Sequence, residues 1–157
     1  ADLLVGGIGA DEGSFNTHPL HRHGNQIEGA AIDGRGCHDV IAAAAAGVDS
    51  VEHGAYLDRE ALAAMAEAGT VWVPTLSTIA NLRGTGRFCE TAVSQILESA
   101  LKNVAAFAQM GGLLAPGTDA GAWAVPHGST TEEGYFAAAG VGEDALQRGA
   151  DAIMAKF

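Results

Sequence analysis

The chain has 157 residues, of which 48% are hydrophobic and 17% are charged, and its formal net charge is -11. These values predict one folded globular domain and exclude a disordered chain. The acidic balance argues against a nucleic-acid partner and against an anionic membrane surface, because both attract basic proteins. Two cysteines, Cys37 and Cys89, form neither a disulfide framework nor a CxxC metal site. No transmembrane run or signal-like segment is evident, so we expect a cytoplasmic protein.

Short apolar runs that end in turn or polar residues predict buried parallel strands. In chain order they cover residues 2–7, 29–33, 48–53, 70–75 and 113–119. Helical patterns cover residues 38–47, 58–69, 90–110 and 142–156. Asp58 is predicted to cap the second of these helices, and Gly47 and Gly69 follow the first two, as helix-terminating glycines commonly do. The alternation predicts an α/β fold of βα units, whose strand carboxyl ends share one edge of the sheet.

Residues 9–29 show no helical period and contain three of the histidines, His18, His21 and His23, in "THPLHRHGN". An H-x-H pair can chelate a metal from one face of a strand, but the glycine and proline nearby leave that geometry unspecified. The glycines of "GGIGADEG" are misplaced for a dinucleotide-binding loop. A nucleotide-binding or phosphate-binding domain is therefore the weakest functional interpretation.

Two polar residues close predicted strands, His53 in "GVDSVEHG" and Asp119 in "LLAPGTDAG". A histidine there binds zinc through a neutral ring nitrogen, or else is a core residue bonded to a carbonyl group. An aspartate there can bind a metal and take a proton from the attacking water. Alternatively, it caps a helix or forms an Asx-turn. His127, in "VPHG", is expected on a loop at the same edge, where it would contact a substrate.

The combination of "AGVDSVEHG", "GTDAG" and "EDALQRGADAIMAKF" resembles the amidohydrolase superfamily, in particular the branch of imidazolonepropionase and the Xaa-Pro dipeptidases. The resemblance implies one domain over residues 1–157, the C-terminal portion of a (β/α)8 TIM-type barrel, with about strands 4–8 and their following helices. It implies one or two divalent metals, usually zinc, with His53 as a ligand and Asp119 as ligand and catalytic proton shuttle. The activity implied is hydrolysis of an amide or related C–N bond in a small-molecule or dipeptide-like substrate by metal-activated water.

The chain also departs from this family's pattern. Val5 stands where many members carry a carboxylated lysine, and Asp33 stands where a strand-5 histidine is expected. The strand-1 H-x-H ligands would lie upstream of residue 1. The alternative interpretation is therefore a catalytically incompetent fragment or relic that binds metal weakly or not at all. Because a partial barrel leaves sheet edges unpaired, we expect a homo-oligomer or a partnership with a missing N-terminal half.

Overall fold

The computed structural model describes residues 4–8, 15–19, 22–23, 26–27 and 31–33 as strands, and residues 36–121 and 124–156 in full. The strands are β1 (Leu4–Ile8), β2 (Phe15–Pro19), β3 (Arg22–His23), β4 (Gln26–Ile27), β5 (Ala31–Asp33), β6 (Ser50–Glu52), β7 (Val71–Val73) and β8 (Leu113–Leu114). The helices are α1 (Cys37–Ala46), α2 (Arg59–Ala68), α3 (Leu76–Ala80), α4 (Glu90–Gln109), α5 (Glu132–Ala138) and α6 (Glu143–Met154).

The last four strands form one parallel sheet in the order β5-β6-β7-β8, and helices lie in each connection between them. Asp33 is in register with Glu52, and Glu52 is in register with Val73, so the carboxyl ends of three strands lie level at one edge. The predicted α/β fold with a parallel sheet is therefore confirmed. Sequential order and parallel direction are what successive βα units produce when each helix packs back on the sheet.

Two predicted strand boundaries extend too far toward the carboxyl end, and proline explains both. β7 ends at Val73, before Pro74, and β8 ends at Leu114, just before Ala115 and Pro116. Proline has no N–H to donate to a strand ladder, so the regular pairing stops there. Asp119 accordingly lies in the loop that follows β8, and the predicted strand over residues 113–119 is wrong in its extent.

The predicted strand near the start of the chain is present as β1, but it does not join the parallel sheet. It pairs antiparallel with β2, with Leu4 opposite Pro19 and Ile8 opposite Phe15. Residues 9–14 are too few for the crossover of a dozen or more residues that parallel pairing requires. A second antiparallel pair joins β3 and β4. Residues 9–29, which had no predicted element, thus contain strands in their described parts.

The four predicted helices are confirmed as α1, α2, α4 and α6, with ends within a few residues of the expected positions. Asp58 caps α2, since its carboxylate accepts the N–H of Ala61 at 2.9 Å. Gly47 and Gly69 end α1 and α2 in left-handed conformations, with φ of 81° and 70°. The short helices α3 and α5 were not predicted.

The core lies between the sheet and the helices that cover it. Trp72 of β7 and Phe107 of α4 are fully buried, and their rings meet edge to face with centroids 5.6 Å apart. A smaller cluster on the other face of the sheet joins Val71, Val73 and Ala115, with Ile153 of α6 packed against it. No helix in the described part of the chain is long and apolar enough to cross a membrane.

Candidate active site

Three successive strands are followed by a residue in the left-handed backbone conformation. They are His53 after β6, Thr75 after β7 and Asp119 in the loop after β8, with φ of 64°, 52° and 51°. Among the described residues these are the only non-glycine residues with positive φ. Each such conformation costs on the order of 1–3 kcal/mol, and this kind of strain concentrates at functional sites. Thr75 is the most unusual of the three because it is β-branched.

The backbone of His53 is anchored to β7 on both sides. Its N–H donates to the carbonyl oxygen of Val73 at 2.9 Å, and its own carbonyl oxygen accepts a hydrogen bond from the indole N–H of Trp72. Trp72 is fully buried, so this second partner is rigidly held. Gly54, with φ of 88°, then turns the chain away from the sheet. These bonds fix the point from which the imidazole ring projects.

The ring of His53 is oriented by Thr75. Its Nδ1 lies 2.6 Å from Thr75 Oγ1, and the Thr75 hydroxyl in turn donates to the carbonyl oxygen of Pro74 at 2.8 Å. The carbonyl oxygen of Pro74 can only accept, so a Thr75 hydroxyl that donates to it must accept from Nδ1–H of His53. That network corresponds to the Nδ1–H tautomer, which has its lone pair on Nε2. A neutral imidazole held in this way is the form that binds a metal or accepts a proton.

Glu52 adds an acidic group beside His53. It is half-buried, and Ser50 donates its hydroxyl to Glu52 Oε1 at 2.9 Å. Burial raises the pKa of Glu52, an effect that the Ser50 hydrogen bond and the positive charge of His53 in its protonated form oppose and the charge of Asp119 reinforces. Glu52 thus interacts electrostatically with both predicted ligands. Sequence reasoning did not select it, although it closes a strand in register with Asp33.

Asp119 is exposed on the loop after β8. That loop is tied to α3, because Thr78 donates its hydroxyl to the carbonyl oxygen of Thr118 at 3.0 Å. His127, also exposed, packs on the same loop. A Cβ atom placed on Gly121 would lie 3.2 Å from two atoms of the His127 ring. The expectation that His127 shares this end of the sheet with Asp119 agrees with that contact.

The donor set that the structure describes is incomplete for a metal. Within residues 36–121 and 124–156, no group of three histidine, cysteine, aspartate or glutamate side chains could hold an ion. Asp33, at the end of β5, lies at the same sheet edge by its backbone register. Val5 is opposite His18 in the backbone register of β1 and β2, His23 lies in β3, and His21 falls outside the described residues.

A pocket of about 330 Å³ opens beside the imidazole. His53, Thr75 and Thr78 form its polar side, and its apolar lining comes from Ala55, Tyr56, Ile79 and Ile96. The sequence alone did not indicate this pocket, because its lining comes from the loop after β6, from α3 and from α4. The arrangement can hold an apolar group against a polar, hydrogen-bonding wall.

Comparisons with known proteins find structural similarity over part of the length of those proteins. No family profile matches the sequence, and no curated protein matches it significantly. Among solved structures, a Xaa-Pro dipeptidase with methionine bound in its active site matches at 27% identity and a TM-score of 0.64, over 80% of this chain and 34% of the dipeptidase. The ochratoxinase of A. niger matches at 28% identity and a TM-score of 0.57, over 82% of this chain and 28% of that enzyme.

An amidohydrolase structure matches at 24% identity with a TM-score of 0.51, over 60% of this chain and 24% of that protein, and supports the shared fold alone. The chain spans about a third of the length of the dipeptidase and the ochratoxinase. The chain is therefore similar to a part of these enzymes, and this similarity supports a relationship to the amidohydrolase superfamily.

Proposed function

We propose that this chain is part of a metal-dependent hydrolase that cleaves an amide or related C–N bond. The observation that carries the proposal is the oriented ring of His53, whose Nδ1 lies 2.6 Å from Thr75 Oγ1, an arrangement that suits metal binding through Nε2. The similarity to a Xaa-Pro dipeptidase and to ochratoxinase supports the reaction class. We assign β5–β8 to the last four strands of a (β/α)8 barrel. The antiparallel pairing of β1 leaves the predicted fourth strand without support.

The proposed metal is divalent, with zinc as the first candidate. Catalytic zinc usually has three protein ligands and one open position. His53 Nε2 and the Asp119 carboxylate would supply two of these ligands, and the others would come from outside the described residues. A metal bound there would activate a water molecule and polarise the scissile carbonyl group. The site's own chemistry is then proton transfer, in which Asp119 takes the proton of the attacking water and delivers it to the departing nitrogen.

The substrate in this proposal is a small or dipeptide-like molecule. The pocket beside His53 would receive an apolar side chain next to the scissile bond, because Ile79 and Ile96 line it. His127, on the loop after Asp119, would contact the polar end of the same substrate.

One observation favours the alternative of an incompetent fragment or relic. Among the residues with described side chains, no group of three histidine, cysteine, aspartate or glutamate side chains could hold an ion. Two protein ligands rarely hold zinc tightly.

The decisive experiment measures metal content and hydrolysis on the same preparation. The purified chain is equilibrated with micromolar zinc, and it is assayed on a panel of Xaa-Pro dipeptides and N-acyl amino acids. We expect about one ion per chain, lost in His53→Ala and retained in His38→Ala, which changes an exposed histidine on α1. A folded chain that binds no metal would contradict the proposed site and favour the relic. Asp119→Asn separates the two roles of Asp119, since it should retain some metal but lose turnover.

A further inference from the structure

Glu132, the first residue of α5, is a buried carboxylate in the described core. It is 1% exposed, and a carboxylate so far from water needs hydrogen-bond donors. Its Oε1 accepts the N–H of Leu76 at 2.8 Å, and its Oε2 accepts the N–H of Ser77 at 2.7 Å. Both oxygens therefore bind the start of α3. Leu76 precedes Glu132 by 56 positions in the chain, and Ser77 precedes it by 55.

These two bonds cap α3 at a helix start where the Thr75 side chain makes no capping bond. Thr75 occupies the N-cap position of α3, where a threonine hydroxyl normally accepts an N–H of the first turn. Here its side chain makes no capping bond, and its backbone is left-handed instead of extended. Because Glu132 already satisfies the first N–H groups of α3, the Thr75 hydroxyl is available to Pro74 and to the ring of His53.

Further bonds hold the three segments together. Ser77 and Thr131 share a hydrogen bond between their hydroxyl groups at 2.9 Å, which adds a second link between α3 and the start of α5. Thr78 reaches the carbonyl oxygen of Thr118 on the loop that carries Asp119. The start of α3 is thus connected both to the imidazole side and to the carboxylate side of the candidate site.

We propose that Glu132 is a positioning residue for His53. By capping α3 in place of Thr75, it leaves the Thr75 hydroxyl to hold Nδ1–H of His53, so that Nε2 carries the lone pair. The value of this arrangement for hydrolysis rests on the proposed function, whereas the relay from Glu132 to His53 does not. Without the carboxylate, two N–H groups lose their acceptors. Thr75 occupies the N-cap position, so we expect its hydroxyl to take over the capping role with a change of its backbone, and this move would release His53.

The test observes the His53 ring by nitrogen NMR in the full chain labelled with ¹⁵N-histidine. The sample is kept free of metal with a chelator at a pH of about 8, above the usual histidine pKa of about 6.5, so that the tautomers are read directly. Wild type should show His53 predominantly as the Nδ1–H form. Glu132→Gln should make that form the minor one, because the amide places an NH₂ group against one of the two N–H donors. Glu133→Gln, which removes the same charge from the exposed neighbour, should leave the spectrum as in wild type.

Two variants test the last step of the relay. Thr75→Ser keeps the hydroxyl and should preserve the Nδ1–H form, whereas Thr75→Val removes the hydroxyl and should abolish its predominance. A folded Glu132→Gln variant with the wild-type His53 ring signals would overturn the proposal. So would a Thr75→Val variant that retains them.

If Glu132→Gln does not fold, amide exchange in the wild-type protein decides the matter. The N–H groups of Leu76 and Ser77 should be strongly protected, and exchange at the rate of an open chain would refute the capping role. Neither metal nor substrate enters these measurements. A chain that proves inactive could therefore still show the relay, and an active chain could lack it.

Discussion

Gly149 of α6 lies against the carbonyl oxygen of Leu114, so closely that a Cβ atom at residue 149 would overlap it. The N–H of Ala115 donates to Trp72 of β7 at 3.1 Å, so the adjacent Leu114 carbonyl points to the opposite side of β8. β8 is the outermost strand of the described parallel sheet, so no strand of that sheet lies on this side. The last helix therefore covers an edge strand, which is one way in which proteins prevent pairing with another chain.

This contact predicts a large effect of one added methyl group. Gly149→Ala should lower the free energy of unfolding by about 3 kcal/mol, since the clash is with backbone and neither α6 nor β8 can yield cheaply. Gly134→Ala, in α5, is the matched control because a Cβ there meets nothing within 4 Å. It should be neutral or raise stability by about 0.5–1 kcal/mol. Urea unfolding measures both values. Equal stability of the two variants would show that α6 does not pack on β8 in this way.

The left-handed backbone conformations of His53 and Asp119 predict that glycine variants are more stable than alanine variants at these two positions. At His53 and Asp119, the glycine variant should be more stable than the alanine variant by about 1 kcal/mol, because only glycine adopts positive φ without steric cost. Ala63→Gly, at an exposed position inside α2, should show the opposite sign and lose about 1 kcal/mol. Chemical unfolding of the five variants checks this. Alanine variants as stable as the glycine variants would mean that the backbone is not strained there.

The local features of this fold were predictable from the sequence, whereas the contacts between distant residues were not. Four helices, the cap at Asp58 and the parallel strands were predictable, because hydrophobic period and capping chemistry act within about one helical turn or strand. The five-residue helix α3 carries too few residues to show a period. Thr75 and His53 are 22 positions apart in the chain, and Glu132 is 56 positions from Leu76, whose N–H it accepts. Contacts of that range depend on the packed fold, so the two predicted ligands were visible in sequence but their supporting residues were not.

Glu132 also predicts a dependence of stability on pH. Burial raises the pKa of its carboxyl group, with Glu133 contributing in the same direction, while hydrogen bonds from Ser77 and Leu76 lower it. Because the folded pKa lies above the unfolded value, the contribution is fully present below a pH of about 4.5 and declines as pH rises through the folded pKa. The destabilisation caused by Glu132→Gln should therefore shrink with rising pH.

Urea unfolding of wild type and Glu132→Gln between about pH 4 and 8 measures this difference directly. Glu133→Gln is the control, and it should show a smaller change, limited to the loss of its repulsion on Glu132. A stability difference between wild type and Glu132→Gln that grows with pH would mean that the hydrogen bonds outweigh burial at this carboxyl group.

The pocket beside His53 predicts a preference for larger apolar side chains. N-acetyl-leucine amide should bind at least about tenfold more tightly than N-acetyl-alanine amide, since each buried methylene contributes roughly 0.8 kcal/mol. Methyl NMR shifts of Ile79, which lines the pocket, report this binding without requiring turnover. Ile96→Phe fills the pocket and should remove the preference for leucine. Ile41→Phe places the same bulk in a separate groove between α1 and α2, and it should leave the preference intact. Loss of the preference in both variants would attribute it to general loosening of the fold, whereas loss in Ile96→Phe alone assigns it to the pocket.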